Sequence, residues 1–175
     1  MERFCAFLRG VNVNGTAMKM AEVCQIFSNA GLQDVSSILA SGNILFSSDY
    51  KKEDLKTILE KMMSDHFSYD AFLFIKSFGE IQQIATQNPF EPSPEKHVYV
   101  FFGTDGVEQI LKQEFNLHLP ANDEQGCIVD KTFYWNLPKG LTLQSAFGKI
   151  LGKKSLKDQL TSRNINTVEK ILRKL

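Results

Sequence analysis

In the first ninety residues, segments with the apolar pattern of strands are interspersed with segments that have the apolar spacing of helices. Four short runs are rich in apolar and aromatic types, which is typical of β-strands: residues 3–9, 35–40, 43–48 and 70–77. Two intervening segments, residues 18–30 and 50–63, have helical spacing, and a short helical pattern follows at 81–85. The resulting order, β-α-β-β-α-β, predicts an antiparallel sheet with two helices on one face.

A proline-rich segment separates this pattern from a second one. Residues 88–97 hold three of the five prolines, which neither continue a helix nor fit a central strand, so we predict a linker at 91–96. Beyond it the pattern predicts three strands and two helices: strands at 97–103, 126–131 and 132–137, and helices at 106–115 and 141–151. No clear fourth strand follows.

These patterns predict an α+β protein with two ferredoxin-like (α-β plait) domains in tandem. The first domain is expected at residues 1–90, and the second, which ends in a helix, at 97–175. For that last helix, Asn166 and Glu169 have the spacing of a capping box, so Asn166 is the predicted N-cap.

Charge and composition restrict the classes of function. The chain has 20 basic and 20 acidic residues, which argues against general binding to nucleic acid. No apolar run has transmembrane length and no signal peptide is visible, so we expect a cytoplasmic protein with no membrane partner. The three cysteines and three histidines are scattered, and we predict no metal site.

Polar chemistry is concentrated first at Arg9–Gly15, between a strand and a helix. Gly10 and Gly15 readily adopt positive φ, and Asn12 and Asn14 tolerate it better than most residues. Such a backbone can turn successive amides towards an anion, with Arg9 as a charge partner. The alternative is a plain strand-to-helix connection in which Arg9 is solvated or pairs with an acid.

Two further junctions have similar chemistry. Ser41-Gly42-Asn43 lies between two strands, where it is either a turn or a source of polar groups at the end of the sheet. Thr161 to Asn164 precedes the last helix, whose free amides favour an anion. If the junctions meet, one cleft between the domains would contain five candidate ligand-binding residues: Arg9, Asn12, Asn43, Arg163 and Asn164.

The leading hypothesis is therefore a small protein that binds an anionic ligand, for example a nucleotide or a phosphorylated metabolite. A second hypothesis is a single-stranded RNA-binding module, with Phe7 and Tyr134 as stacking platforms. A third is an enzyme acting on a phosphorylated substrate, although no base or nucleophile stands out. Catalytic residues, cofactor and oligomeric state are not predicted.

Several motifs together resemble a known bacterial family, the domain of unknown function 1697. They are "LRGVNVNG" (8–15), "MKMAEV" (18–23), "SGNILF" (41–46), "NPF" (88–90) and "LTSRNINTVEKIL" (160–172). The resemblance implies tandem α-β plait domains and no established reaction, substrate or cofactor.

The family pattern is close to LRGINVGG, SGN and TxRNWNT. Carried over by position, it implies a set of candidate site or structural residues: Arg9, Gly10, Asn12, Gly15, Ser41, Gly42, Asn43, Thr161, Arg163, Asn164, Asn166 and Thr167. This sequence departs from the pattern twice. Asn14 stands where the family often has Gly, and Ile165 where it often has Trp, so a Trp that stacked on a ligand would be missing here.

Overall fold

The structure is a computed structural model that describes residues 1–13, 16–118 and 123–175. Its contacts divide the chain into two compact units. The first unit comprises Met1–Gln82 together with Lys170–Leu175, and the second comprises Gln83–Glu169. In this division, the segment 91–96, predicted as a linker, belongs to the second unit.

The first unit is built on a four-stranded antiparallel sheet. Its elements in chain order are β1 (Glu2–Arg9), β2 (Asn12–Val13), β3 (Thr16–Ala17), α1 (Met20–Asn29), β4 (Gln33–Ile38), β5 (Asn43–Ser48), α2 (Lys52–Phe67), β6 (Phe72–Ser77) and α3 (Phe78–Thr86), which continues into the second unit. The strand order is β4-β5-β1-β6, and β2 pairs with β3 as a separate hairpin. This is the predicted ferredoxin-like arrangement.

The second unit repeats this topology. Its elements are β7 (Lys96–Gly103), α4 (Val107–Leu117), β8 (Gln125–Val129), β9 (Thr132–Pro138), α5 (Ala146–Ile150), β10 (Leu160–Asn164) and the start of α6 (Ile165–Leu172). The strand order is β10-β7-β9-β8. In both units the first strand lies between the third and the fourth, so the fold is a tandem of ferredoxin-like units.

Strand β10 corrects the expectation that the second half has no fourth strand. It pairs with β7 along its whole length, from Leu160 opposite Gly103 to Asn164 opposite Tyr99. Its buried side chains include the polar Thr161 and Arg163. A strand whose buried positions are polar lacks the apolar alternation by which strands are recognised in a sequence.

The helix predicted at 141–151 is also shorter than expected. Residues 141–145 form turns, in which Gln144 N and Ser145 N both donate to Leu141 O. Ser145 is the N-cap of α5, and its side-chain oxygen accepts from Gly148 N at 3.2 Å. Because serine is among the best N-cap residues, α5 begins only after it.

Alternation along β1 separates two faces of the first sheet. Phe4, Ala6 and Leu8 belong to a core cluster with side chains of α1 and α2. Since successive side chains of a strand point to opposite faces, Phe7 and Arg9 lie on the face away from these helices. We call this side the helix-free face of the first sheet.

The core of the second unit is an aromatic cluster centred on Phe147 of α5. The ring of Phe147 lies 5.1–6.2 Å, between centroids, from four other rings: Phe101, Phe115, Phe133 and Trp135. Edge-to-face pairs of this kind add to the burial of apolar area. This cluster attaches the short α5 to the second sheet.

We therefore expect Phe147→Ala to lower the free energy of unfolding by about 3–5 kcal/mol, because it leaves a cavity among the four rings. Phe147→Leu, which keeps most of the volume, should cost clearly less. Urea denaturation followed by tryptophan fluorescence and circular dichroism measures both variants. Equal losses for the two variants would contradict the role given to this cluster.

Candidate functional site

The first two polar junctions meet at one end of the first sheet. Leu8 N donates to Gly42 O at 2.8 Å. A Cβ at Gly42 would lie 2.6 Å from Val11 Cγ1 and 2.9 Å from Leu8 Cβ, so the two chain segments touch at this glycine. We call this end of the sheet, comprising Arg9 to Asn12 and residues 39–43, the Arg9 edge.

Positive φ angles shape both segments of the Arg9 edge. Gly10 has φ +71° and Gly42 has φ +78°, as their glycine identity allows. Leu39 also has φ +60°, which is uncommon for a residue with a side chain and is found at strained turns. Gly15 and Asn14, also expected to form this loop, lie outside the described residues.

Arg9 and Asn43 lie on the same face of the sheet. In the register of the strands, Asn43 is opposite Phe7 and Arg9 is opposite Phe72. Cross-strand partners share a face, so both candidate side chains are on the helix-free face. Arg9 is half-buried at the last position of β1.

Asn43 has a structural role at this edge. It is fully buried, and its Nδ2 donates to Ile38 O at 2.8 Å and to Ser41 Oγ at 2.9 Å. These bonds use both amide hydrogens to hold the 39–42 turn in shape. Asn43 therefore positions the turn beside Arg9.

Asn12 is the exposed candidate of the first unit. It lies in β2, opposite Ala17 of β3. Val11, immediately before it, accepts from Met18 N through its carbonyl at 2.7 Å. The short hairpin follows Gly10 directly, and Asn12 is one position beyond the contact of Val11 with Gly42.

Tyr69 is a neighbour of the Arg9 edge that the sequence did not indicate. Its Cε2 is the heavy atom nearest to a Cβ placed on Gly10, at 3.9 Å. Burial raises the pKa of Tyr69 to about 12, with a smaller contribution from the charge of Glu60. The phenol therefore stays protonated at neutral pH and can act as a hydrogen-bond donor.

Arg163 is buried on the corresponding face of the second sheet. It lies opposite Val100, which in turn lies opposite Tyr134, and these side chains point away from the cluster around Phe147. Its Nη1 donates to Thr161 Oγ1 and to Ser162 O, both at 2.8 Å. Each unit thus places one candidate arginine on the sheet face that points away from its core cluster.

Asn164, rather than Asn166, caps the last helix. Its Oδ1 accepts from Asn166 N at 2.9 Å, and helix α6 begins at Ile165, so the predicted N-cap at Asn166 is wrong. The Nδ2 of Asn164 also lies 2.9 Å from His97 Nδ1. Ile165, where the family often has Trp, is buried, which favours a packing role at that position.

The two aromatic residues considered as stacking platforms are buried. Phe7 and Tyr134 have no exposed surface. Burial raises the pKa of Tyr134, whose hydroxyl donates to Ile84 O at 2.7 Å. A base cannot stack on rings that are covered, so the RNA-binding hypothesis loses the platforms assigned to it.

A recess lies at the end of the first sheet opposite to the Arg9 edge, near the start of α2. It has a volume of about 380 Å³, and its lining is mostly polar and charged: Glu2, Phe4, Asp49, Tyr50, Lys51, Lys52, Ser77 and Glu80. Burial raises the pKa of Glu80, but hydrogen bonds from Lys52 and Ser77 N, together with the positive charges of Lys76 and Lys52, hold the pKa below its usual value. In the sequence, the only feature that marks this recess is the pair of adjacent lysines, Lys51 and Lys52.

No group of three or more His, Cys, Asp or Glu side chains in residues 1–13, 16–118 and 123–175 has an arrangement that could hold a metal ion. Over the same ranges, no helix has the length and apolar character needed to cross a bilayer.

The strand order of the two sheets defines this chain as a tandem ferredoxin-like protein. A family model described as "Protein of unknown function (DUF1697)" matches residues 1–134, and the chain belongs to this family. The match includes both segments of the Arg9 edge. It ends before Arg163 and Asn164.

One solved structure supports the fold. Conserved bacterial protein SP0830 from Streptococcus pneumoniae is 26% identical to this chain and superposes with a TM-score of 0.80. The match covers 100% of this chain and 98% of that chain. An unknown protein from Galdieria sulphuraria is 12% identical and covers 93% of this chain and 96% of that chain, with a TM-score of 0.29. A search of curated proteins finds no match.

The contact at Gly42 gives a first prediction for this site. Gly42→Ala should destabilise the protein by about 2 kcal/mol or more, because the new Cβ would overlap Val11 and Leu8 and the residue must keep positive φ. Gly31→Ala is the matched control, since Gly31 has φ +84° with nothing within 4 Å. Its cost should be only the φ penalty of about 1–2 kcal/mol. Equal melting temperatures for the two variants would contradict the close contact.

The capping of α6 gives a second prediction. Asn164→Ala should lower the free energy of unfolding by about 1 kcal/mol, because it removes the acceptor for Asn166 N. Asn166→Ala, at an exposed position past the cap, should stay within about 0.5 kcal/mol of the wild type. Denaturant titration of both variants measures the difference, and a larger loss for Asn166→Ala would restore the capping box predicted from the sequence.

Proposed function

We propose that this protein binds an anionic ligand, a nucleotide or a phosphorylated metabolite, at the Arg9 edge. The observation that carries the proposal is the meeting of two polar segments: Leu8 N bonds to Gly42 O, and Arg9 shares a face with Asn43. An arginine binds phosphate and carboxylate through two parallel hydrogen bonds, which a solvated lysine does not provide.

The candidate residues take different roles in this proposal. Arg9 contacts the anion, and Asn12 supplies an amide from the hairpin that follows. Asn43 acts indirectly, because its amide hydrogens already hold the turn. Arg163 and Asn164 are proposed as anion-binding residues of the second unit, apart from the Arg9 edge. Asn164 would act by ordering the start of α6, since its oxygen caps that helix.

The construction of the edge supports a binding role over a plain connection. Gly42 is sterically required where it stands, and Leu39 keeps a positive φ that is unfavourable for its side chain. Strained backbone conformations persist only where the surroundings determine them, and they are concentrated at binding sites. Positive φ also occurs in the plain hairpin connection at Asp130 and Lys131, so the support comes from its combination with the close contact at Gly42.

The test is a thermal-shift screen against nucleotides, phosphorylated metabolites and inorganic phosphate. A ligand at about 100 times its dissociation constant should add about 2.7 kcal/mol, which is a shift of several degrees for a chain of this size. Arg9→Ala should weaken binding of the ligand so found by about 10- to 100-fold, because it removes charge-assisted hydrogen bonds worth about 1.5–3 kcal/mol.

Arg3→Ala is the matched control for this experiment. Arg3 lies on the same strand and the same face as Arg9 but at the other end, where it donates to Lys174 O. This variant should bind like the wild type. Binding that persists in Arg9→Ala, or a screen in which no anion shifts the melting temperature, would refute the proposed site.

A further inference from the structure

Positive charge in the second unit is concentrated in one short segment. Residues 149–157 contain four lysines and no acidic residue: Lys149, Lys153, Lys154 and Lys157. The remainder of this unit has more acidic than basic residues. A neutral chain can therefore have a strongly positive local surface, which orients a protein towards a negatively charged partner.

These lysines face solvent. All four are exposed, and the Nζ of Lys153 lies 3.8 Å from Oε2 of Glu114. The ammonium groups of Lys149, Lys154 and Lys157 form no ion pair with any residue that the structure describes. Crowding like charges costs free energy, which Glu114 beside Lys153 offsets only in part, and an anionic partner would offset it further.

Exposed leucines stand directly beside this segment. Leu143 is 86% exposed and Leu141 is 38% exposed. Their loop is packed on α5, because a Cβ at Gly148 would lie 1.9 Å from Thr142 O, and Ser145 N donates to Leu141 O. The loop that carries the leucines is thus held against the first turn of α5, and this turn ends at Lys149, four residues before Lys153. We call these two leucines and the four lysines the basic surface.

We infer that the basic surface docks on the surface of a lipid bilayer that contains anionic lipid. Clustered lysines are attracted to anionic headgroups, and exposed leucines can enter the boundary between headgroups and acyl chains. The inference is independent of the anionic ligand proposed above. Docking on the surface of a bilayer requires no membrane-spanning helix. The expectation of no membrane partner was based on the lack of an apolar run of transmembrane length in the sequence, and it therefore concerns spanning and not surface docking.

Nucleic acid is the alternative polyanion, and the composition of the surface favours lipid. Binding of single strands relies on aromatic rings that stack on bases. The only aromatic residue in 141–157 is Phe147, which is buried in the core. Two exposed leucines have no role beside phosphates in water, whereas at a bilayer they add apolar contact.

The experiment is co-sedimentation of the whole protein with vesicles. Vesicles of equal parts phosphatidylglycerol and phosphatidylcholine should bind the protein at low salt, and vesicles of phosphatidylcholine alone should not. Each lysine near an anionic surface contributes about a fivefold gain in partitioning. Lys149→Glu/Lys154→Glu should therefore lower partitioning by at least about 25-fold, and Leu143→Ser should lower it by a smaller factor.

The matched control is Lys19→Glu/Lys170→Glu, which makes the same change in net charge at exposed lysines elsewhere. It should partition like the wild type, and circular dichroism should show that every variant is folded. The inference is overturned if no vesicle binds the wild type at low salt or if both double variants bind equally. It is also overturned if a single-stranded oligonucleotide binds through these lysines while vesicles do not.

Discussion

The alternation of side chains along β1 is the constraint on which the rest of the first unit depends. Phe4, Ala6 and Leu8 must face α1 and α2, because their burial joins the helices to the sheet. With those three positions fixed, Arg9 has to lie on the other face. A slip of one residue would exchange the two sets and turn Cys5, Phe7 and Arg9 towards the helices, where Arg9 would be buried among apolar side chains. The position of the candidate arginine thus follows from hydrophobic packing.

A steric constraint at Gly42 then brings the second polar segment to the same place. No side chain fits at this position, since Val11 and Leu8 occupy the space where a Cβ would be. The turn can therefore approach β1 closely enough for the bond from Leu8 N to Gly42 O. Buried Asn43 fixes the turn from within by satisfying Ile38 O and Ser41 Oγ. Packing and hydrogen bonding therefore agree in holding the turn close to the end of β1.

Local periodicity was enough to predict the four-stranded sheet and the helices of the first unit, but not its β2–β3 hairpin, and it predicted most of the second unit. It was insufficient for β10, where Thr161 and Arg163 are buried through hydrogen bonds instead of apolar contact. The choice of cap for α6 could not be made from spacing either, because Asn164 and Asn166 are both good N-cap residues. The pairing of β10 with β7 ends at Asn164, so tertiary structure decided between them. The meeting of the two segments at Gly42 depended on strand register, which the motifs alone do not contain.

The two units share a topology but not a site. Arg9 is the last residue of β1, the first strand of its unit, and the equivalent last residue of β7 is Gly103. A Cβ there would lie 2.5 Å from Gln159 O, which also accepts from Thr104 N at 2.9 Å. A side chain like that of Arg9 is therefore excluded from the second unit at the corresponding position. Its arginine lies instead on β10, the fourth strand, so the two candidate arginines are not copies of one repeated motif.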